Sequence, residues 1–285
     1  MSKPVAIITG ATGGMGLASA RLFAQDHHVV LCDLSLDRLD ALAKLLRQKG
    51  AAVSTQVTNI SRKADVTALV ELGSRLGSIG ALIHTAGLSP MMTDGKSIYE
   101  VNLRGTELML AEITPYMHDG AVAVLVASQA GTFAEQHSCR ALNQVLEHSL
   151  SDDFYQQLEQ FEAASELRQA YGFSKLGVQL LAQKYAPVWG AQNARVVSLS
   201  PGIIDTPMGQ FENERQPIMK TLLETTPLAR MGIADEIANT VRFLCSPDAS
   251  FITGIDLLVD GGATHASLRA VASGELELPD GRTLE

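Results

Sequence analysis

A short apolar run, followed at once by closely spaced glycines and then an amphipathic stretch, constrains this chain more than any other feature. Val5-Ala6-Ile7-Ile8 is apolar and β-favouring, and reads as a strand buried on both faces. It leads into Thr9-Gly10-Ala11-Thr12-Gly13-Gly14-Met15-Gly16, after which Leu17, Ala20, Leu22, Phe23 and Ala24 mark the apolar positions of a helix. Strand, glycine turn and helix form the context in which such glycines hold a dinucleotide. They permit a tight turn and close backbone approach, and the helix start offers unpaired N–H groups to a pyrophosphate. The plainer alternative is an ordinary glycine-rich turn. His28-Val29-Val30-Leu31-Cys32 reads as the next strand and ends at Asp33, 19 residues after Gly14. An acid at that distance accepts hydrogen bonds from the adenosine ribose hydroxyls. It also repels a 2′-phosphate, and neither Gly13 nor Leu34 supplies a cation to offset this, so the expected cofactor is NAD rather than NADP.

A second constellation lies in Ala170-Tyr171-Gly172-Phe173-Ser174-Lys175. Spacing of four puts the phenol and the ammonium on one helix face, a turn apart. A phenol titrates near pH ~10 in water, and a neighbouring cation lowers that value, making the pair a proton donor and acceptor for an alcohol or carbonyl. Taken alone, Tyr and Lys at this spacing are more often a solvated pair.

With both motifs in hand, the chain from Lys3 to about Ala263 resembles a short-chain dehydrogenase/reductase. Thr9, Gly10, Gly14 and Gly16 match the family's Thr-Gly-x-x-x-Gly-x-Gly. The same stretch fits Gly-x-x-Gly-x-x-Gly through Gly10, Gly13 and Gly16, so this motif does not choose the subfamily. Pro201-Gly202 and the run Gly254 to Gly262 resemble the classical branch. The resemblance implies a Rossmann-like, doubly wound α/β fold with a parallel sheet. It also implies catalytic roles for Ser128, Tyr171, Lys175 and Asn102, which stand in family order on the expected elements. Tyr171 would move the hydroxyl proton, and Lys175 would lower its pKa and hold the nicotinamide ribose. Ser128 would hold the substrate oxygen, and Asn102 would anchor a water linking Lys175 to solvent. Thr12, Met15, Leu34, Asn59, Ile60, Ala86 and Gly87 would join the glycines and Asp33 around the cofactor, with Pro201, Gly202, Ile204 and Thr206 beside the nicotinamide. Two positions depart from the family. His84-Thr85-Ala86-Gly87 replaces Asn-Asn-Ala-Gly, with His84 read as catalytic or, more plainly, as a buried hydrogen-bonded strand histidine. Asn59 stands where Asp is usual, and keeps a carbonyl acceptor for the adenine amino group.

Ser128 and Tyr171 lie 43 positions apart, far more than the resemblance implies. The excess, about 132–169, reads as a helical insertion, as in some hydroxysteroid dehydrogenase/carbonyl reductases. Leu142, Val145, Leu146, Ser149 and Leu150 follow helical spacing. Ser151 or Asp152 could cap a second helix carrying Phe154, Leu158 and Phe161 on one face. The expectation is a hairpin over the active-site mouth, serving as a lid, an interface element or a surface decoration. Further helices are expected at about Arg38–Lys49, Lys63–Leu76, Lys96–Met117 and Asp235–Leu244 within one domain, 1–266, followed by a polar tail, 267–285.

Composition narrows the partners. A net charge of −9 disfavours nucleic acid and anionic membrane. No apolar run approaches the ~20 residues of a membrane span, and the N-terminus leaves no room for a signal peptide. Cys32, Cys139 and Cys245 are widely spaced, which points to a reducing cytoplasm without a disulfide framework or metal site. The resemblance further implies a homodimer or homotetramer. The expected reaction interconverts a secondary alcohol and a ketone, with NAD as cofactor. Leu88, Met91, Met92, Gln129, Ile203, Met208, Phe211 and Met219 are the expected pocket, apolar and Met-rich, suited to a steroid-like, terpenoid or aryl substrate. Competing readings are an NAD-binding regulatory protein without catalysis, and an epimerase or dehydratase that retains its NAD.

Overall fold

The computed structural model describes residues 3–91, 93–165, 169–215 and 217–274. Met92, residues 166–168 of the insertion and residues 275–285 of the expected tail lie outside the described residues. Strands β1 (Val5–Thr9), β2 (His28–Asp33) and β3 (Val53–Val57) alternate with helices α1 (Gly14–Phe23), α2 (Leu36–Gln48) and α3 (Lys63–Leu76). After β4 (Ile79–His84), a long helical segment is built from α4 (Gly95–Ile98), a π-helical turn (Tyr99–Arg104) and α5 (Gly105–Ile113). It leads to β5 (Val122–Val126). The expected single helix over Lys96–Met117 is therefore interrupted, and the π-turn carries Asn102.

Four short helices follow: α6 (Gln129–Glu135), α7 (Arg140–Glu147), α8 (Phe154–Leu158) and α9 (Glu162–Ser165). The long α10 (Ala170–Gly190) then leads into β6 (Arg195–Pro201). The C-terminal part comprises β7 (Ile204–Asp205), α11 (Pro207–Arg215), α12 (Pro217–Thr225), β8 (Gly232–Ile233), α13 (Ala234–Leu244), β9 (Asp256–Val259) and α14 (Ala263–Ala272).

Seven strands form one sheet in the order β3-β2-β1-β4-β5-β6-β9, every pairing parallel. The inner strands are apolar throughout because helices cover both faces: β1 and β5 are buried at every position. One apolar layer joins the sheet to α1, α2 and α13, the other to α3, α5 and α10. The strand order reverses between β1 and β4. In open parallel sheets the ligand crevice lies at such a switch point, beyond the carboxyl ends of the strands.

The insertion differs from the expected hairpin over the site mouth. Leu142, Val145, Leu146, Phe154 and Leu158 are buried in the same core layer as α10 and α5. Tyr99 in the π-turn packs edge-on against Phe154, with ring centroids 5.9 Å apart, and its hydroxyl donates to Ala164 O at 2.9 Å. Glu107, 5% exposed on its side chain, takes Lys184 Nζ of α10 at 2.7 Å and accepts from Ser149 Oγ at 2.6 Å and Leu150 N at 3.1 Å. Arg104 donates to Ser149 O. The insertion is thus fastened to α5 and α10 through Glu107 and Lys184, the ion pair that joins those two helices. Nor do Ser151 or Asp152 cap α8: its N-cap is Asp153, which makes no side-chain cap bond. The expected tail boundary at 266 also falls inside α14, where Ser267 is buried and hydrogen-bonds Thr225 Oγ1 at 2.8 Å.

Among the described residues no helix is long and apolar enough to cross a membrane, and no cluster of three metal-type side chains occurs. The three cysteines are free: Cys32 is buried, Cys245 half-buried and Cys139, at the N-cap of α7, exposed.

Candidate active site

The glycine turn is shaped as the sequence requires. Gly10 has φ +62°, a conformation that L side chains rarely adopt, and a Cβ on Gly16 would drive into the Gly10 carbonyl. Gly13 is the N-cap of α1 and supplies no side-chain cap, so the leading N–H groups of this helix stay open to an anion. A Cβ on Gly14 would strike Thr206, which places the start of α11 opposite the fingerprint. Asp33 Oδ2 accepts from Thr12 N at 3.0 Å and Thr12 Oγ1 at 2.6 Å, and Oδ1 accepts from Leu34 N at 2.8 Å. Leu34 itself is exposed.

Sequence reasoning missed Arg38, whose guanidinium donates to Thr12 O at 2.6 Å and so stands beside the Asp33 corner. Its signal was its place in the first turn of α2, one turn beyond Leu34. At two expected cofactor positions the side chains make local contacts. Asn59 Oδ1 accepts from Ser61 N at 3.0 Å and from Ser61 Oγ at 2.7 Å, a turn that engages the acceptor expected to serve adenine. The Ile60 side chain is buried and faces Gly105.

The four catalytic candidates converge beyond β4 and β5. Ser128 is the N-cap of α6; its Oγ accepts from Ala130 N at 3.2 Å, and it lies near enough to the Tyr171 phenol to influence it. Tyr171 is in the first turn of α10, and Lys175 a turn later lies 5.9 Å from the Tyr171 ring centroid. Lys175 Nζ donates to Val126 O at 2.9 Å. A Cβ on Gly87 would come within 3.2 Å of Asn102 Oδ1 and 3.5 Å of Lys175 Nζ, so the glycine keeps that cradle open.

Asn102 pins the loop after β4: its Oδ1 accepts from Leu88 N at 2.7 Å and its Nδ2 donates to Leu88 O at 3.0 Å. His84 takes the plainer reading: buried, it bonds Thr9 Oγ1 at 2.9 Å and Thr106 Oγ1 at 3.0 Å, and burial holds its ring neutral, down to about 3.

Electrostatics also depart from expectation. Burial, reinforced by the negative charge of Glu212, pushes the Tyr171 phenol up, opposite to the expected lowering, while Ser128 pulls the other way. Burial pulls Lys175 down to about 8, and Glu212 counteracts this. Between about 8 and the ordinary 10.5, the unfolded chain therefore keeps a proton that the folded chain has lost, and stability from this group rises with pH across that window. In chemical denaturation, the stability of the wild type relative to Lys175→Met should accordingly improve from pH 8 to pH 10.5; a pH-independent difference would contradict the assignment.

A cavity of about 210 Å³ opens beside Ser128 and Tyr171. Of the expected lining, Gln129, Ile203, Met208 and Met219 are present. Leu88 is instead held by Asn102, Met91 is 41% exposed, and Phe211 is turned outward against the Arg215 guanidinium, 3.8 Å from its ring centroid. Pro90, Phe133, Leu222 and Glu212 line the cavity without having been foreseen. Phe133 is the insertion's contribution to it. The signal for Glu212 was helical spacing: it lies four residues after Met208 and shares its face.

Comparison with known proteins gives the family. Residues 4–140 match the profile described as short chain dehydrogenase, and residues 159–264 the one described as Enoyl-(Acyl carrier protein) reductase. The chain is 32% identical over 265 residues to short-chain dehydrogenase/reductase bsc3 of Alternaria brassicicola, covering 92% of this chain and 96% of that protein. It is 29% identical over 274 residues to the D-threitol dehydrogenase of Mycolicibacterium smegmatis, covering 91% and 92%. A solved short-chain dehydrogenase/reductase from Brucella melitensis, titled glucose/ribitol dehydrogenase, superposes with a TM-score of 0.73 at 28% identity, covering 92% of this chain and 99% of that one. The chain belongs to the short-chain dehydrogenase/reductase family, an oxidoreductase family that uses a nicotinamide cofactor.

Proposed function

We propose that this protein is an NAD-dependent oxidoreductase that interconverts a secondary alcohol and a ketone, with Tyr171 as general acid and base. The observation that carries this is the placing of Ser128 and Tyr171 together on the wall of one cavity at the switch point, with Lys175 one turn behind. The open α1 N-terminus, Gly87 and Asp33 fit the pyrophosphate, nicotinamide ribose and adenosine ribose of the cofactor. When bound, the nicotinamide supplies or accepts the hydride. The protein's own part is positional and protonic. Ser128 holds the substrate oxygen, Tyr171 gives its proton to that oxygen during reduction and takes it back during oxidation, and Lys175 supplies positive charge behind the phenol. A phenol kept protonated by burial is poised as the acid.

Met15, Pro90, Phe133, Ile203, Met219 and Leu222 give the cavity apolar walls, which suit an aryl or terpenoid body. At about 210 Å³ it is smaller than the ~300–1,000 Å³ of pockets for drug-sized ligands, which disfavours a steroid. The reading is tested by following reduced-nicotinamide absorbance with NAD or NADP and a panel of secondary alcohols; no signal with any alcohol, despite cofactor binding, would favour the regulatory or retained-NAD alternatives. Assembly as a homodimer or homotetramer is part of the same reading, supported by exposed Phe243, Phe251 and Ile255 near the β9 edge.

Cofactor choice makes its own prediction. With Asp33 in place, kcat/KM should favour NAD over NADP. Asp33→Ser removes the repelling charge and leaves Arg38 beside the site, so the NADP/NAD ratio should rise by about 10- to 100-fold. A wild type that already prefers NADP would show that Arg38 outweighs Asp33.

A further inference from the structure

Glu212 is a carboxylate on the wall of a cavity otherwise lined mainly by apolar side chains, and the chemistry assigned to Ser128, Tyr171 and Lys175 does not require it. It stands close enough to shift both Tyr171 and Lys175, and its own carboxyl is raised by burial. One oxygen is accounted for. Glu212 Oε1 accepts from Ser89 Oγ at 2.5 Å; Ser89 is fully buried and its Oγ in turn accepts from Met91 N at 3.3 Å, which directs the single hydroxyl proton at the carboxylate. Among the described residues no donor reaches Oε2. A carboxylate offers about four acceptor positions, and one is used.

Holding Ser89 does not by itself require a charge, because a neutral amide oxygen would accept the same proton without the cost of desolvating an anion. A second polar side chain borders the same cavity: Gln129 is 6% exposed, and its Oε1 is buried with no hydrogen-bond partner among the described residues. Buried acceptors without donors are costly, and a ligand that brings the donors recovers that cost. A cationic donor is disfavoured because Lys175 already occupies the same field. A neutral donor, a hydroxyl, meets the Glu212 oxygen without adding like charge.

We infer that Glu212 is a specificity-determining residue, and that the substrate carries a second hydroxyl beside the reacting carbinol, which donates to the free Glu212 oxygen. This rests on the dehydrogenase reading of the site. The substrate class is then a vicinal diol or its α-hydroxyketone, with an apolar body against the Met and Ile wall. Discrimination follows from the pocket itself: the mono-alcohol leaves the Glu212 oxygen without a donor in a mainly apolar cavity, and the diol supplies one.

The test compares two alcohols that differ only in that group, α-methylbenzyl alcohol and phenylethylene glycol. Each is measured by kcat/KM with NAD and by calorimetric binding to the protein–NADH complex. Wild type should favour the glycol by about tenfold or more in both readouts, and Glu212→Gln should bring the ratio close to one. If Glu212 only fastens α11 to Ser89 or tunes Tyr171, the variant changes both alcohols alike and the ratio stays put, which overturns the inference. A wild type without preference for the glycol in either readout overturns it as well, without recourse to any variant. If neither alcohol is oxidised but the glycol binds preferentially and loses that preference in Glu212→Gln, the dehydrogenase reading fails and the recognition role stands.

Discussion

Tyr171→Phe should lower kcat for alcohol oxidation by at least about 10²–10⁴-fold, the usual contribution of a positioned acid–base group. Affinity for NADH, read by fluorescence titration, should remain within a few-fold of wild type. Phenylalanine fills the same half-buried space in the first turn of α10, so the loss is confined to the hydroxyl and its proton. The two outcomes separate cleanly because the cofactor cradle is built elsewhere, from the α1 start, Asp33 and Gly87. A variant that keeps turnover within about tenfold of wild type would show that protons travel by another route, and the acid–base assignment would have to be abandoned.

The second large effect concerns stability. Glu107→Ala should destabilise the fold by about 3–5 kcal/mol in urea denaturation, since removing one member of a buried pair strands the rest. Here Ser149 Oγ and Leu150 N are stranded, and Lys184 Nζ keeps only Glu147 O. Exposure of 30% at Lys184 moves the expectation toward the lower end. Glu107→Met combined with Lys184→Met should recover part of the loss, because two apolar side chains of similar length leave no unpaired charge. If Glu107→Ala unfolds at the wild-type midpoint, the pair is not what fastens the insertion.

These two residues differ in how visible they are from sequence. Tyr171 is legible because its chemistry needs a fixed spacing to Lys175 on a helix, and helical spacing survives any tertiary context. Most of the frame is legible for the same reason: apolar strands alternate with amphipathic helices, and α3 runs from Lys63 to Leu76, as its pattern predicts. Glu107 is not legible, because nothing local says that a glutamate on a helix will meet Lys184, 77 residues away, and be covered by residues 147–151.

The remaining misses have comparable causes. The π-turn at Tyr99–Arg104 uses residues that suit an α-helix equally well, and only its contacts to Leu88 and Ala164 distinguish it. The insertion breaks into helices of eight, five and four residues, too short to stand by propensity and defined instead by packing on α10. Met91 and Phe211 point outward while Glu212 points inward, an inversion of hydropathy that sequence reading resolves in favour of the apolar residue. Inversions of this kind are expected where a site needs a polar group in an apolar wall.

The cysteines give the insertion an experimental handle. Cys32 is buried, with its thiol pushed far above the reactive range, and burial pushes Cys245 up to about 12, leaving almost no thiolate at neutral pH. Cys139 is exposed at the hinge between α6 and α7. A maleimide dye or a nitroxide added at neutral pH thus selects a single position on the unmodified chain. The native protein can in this way be given a spectroscopic reporter where the insertion departs from the cavity wall, without any engineered cysteine.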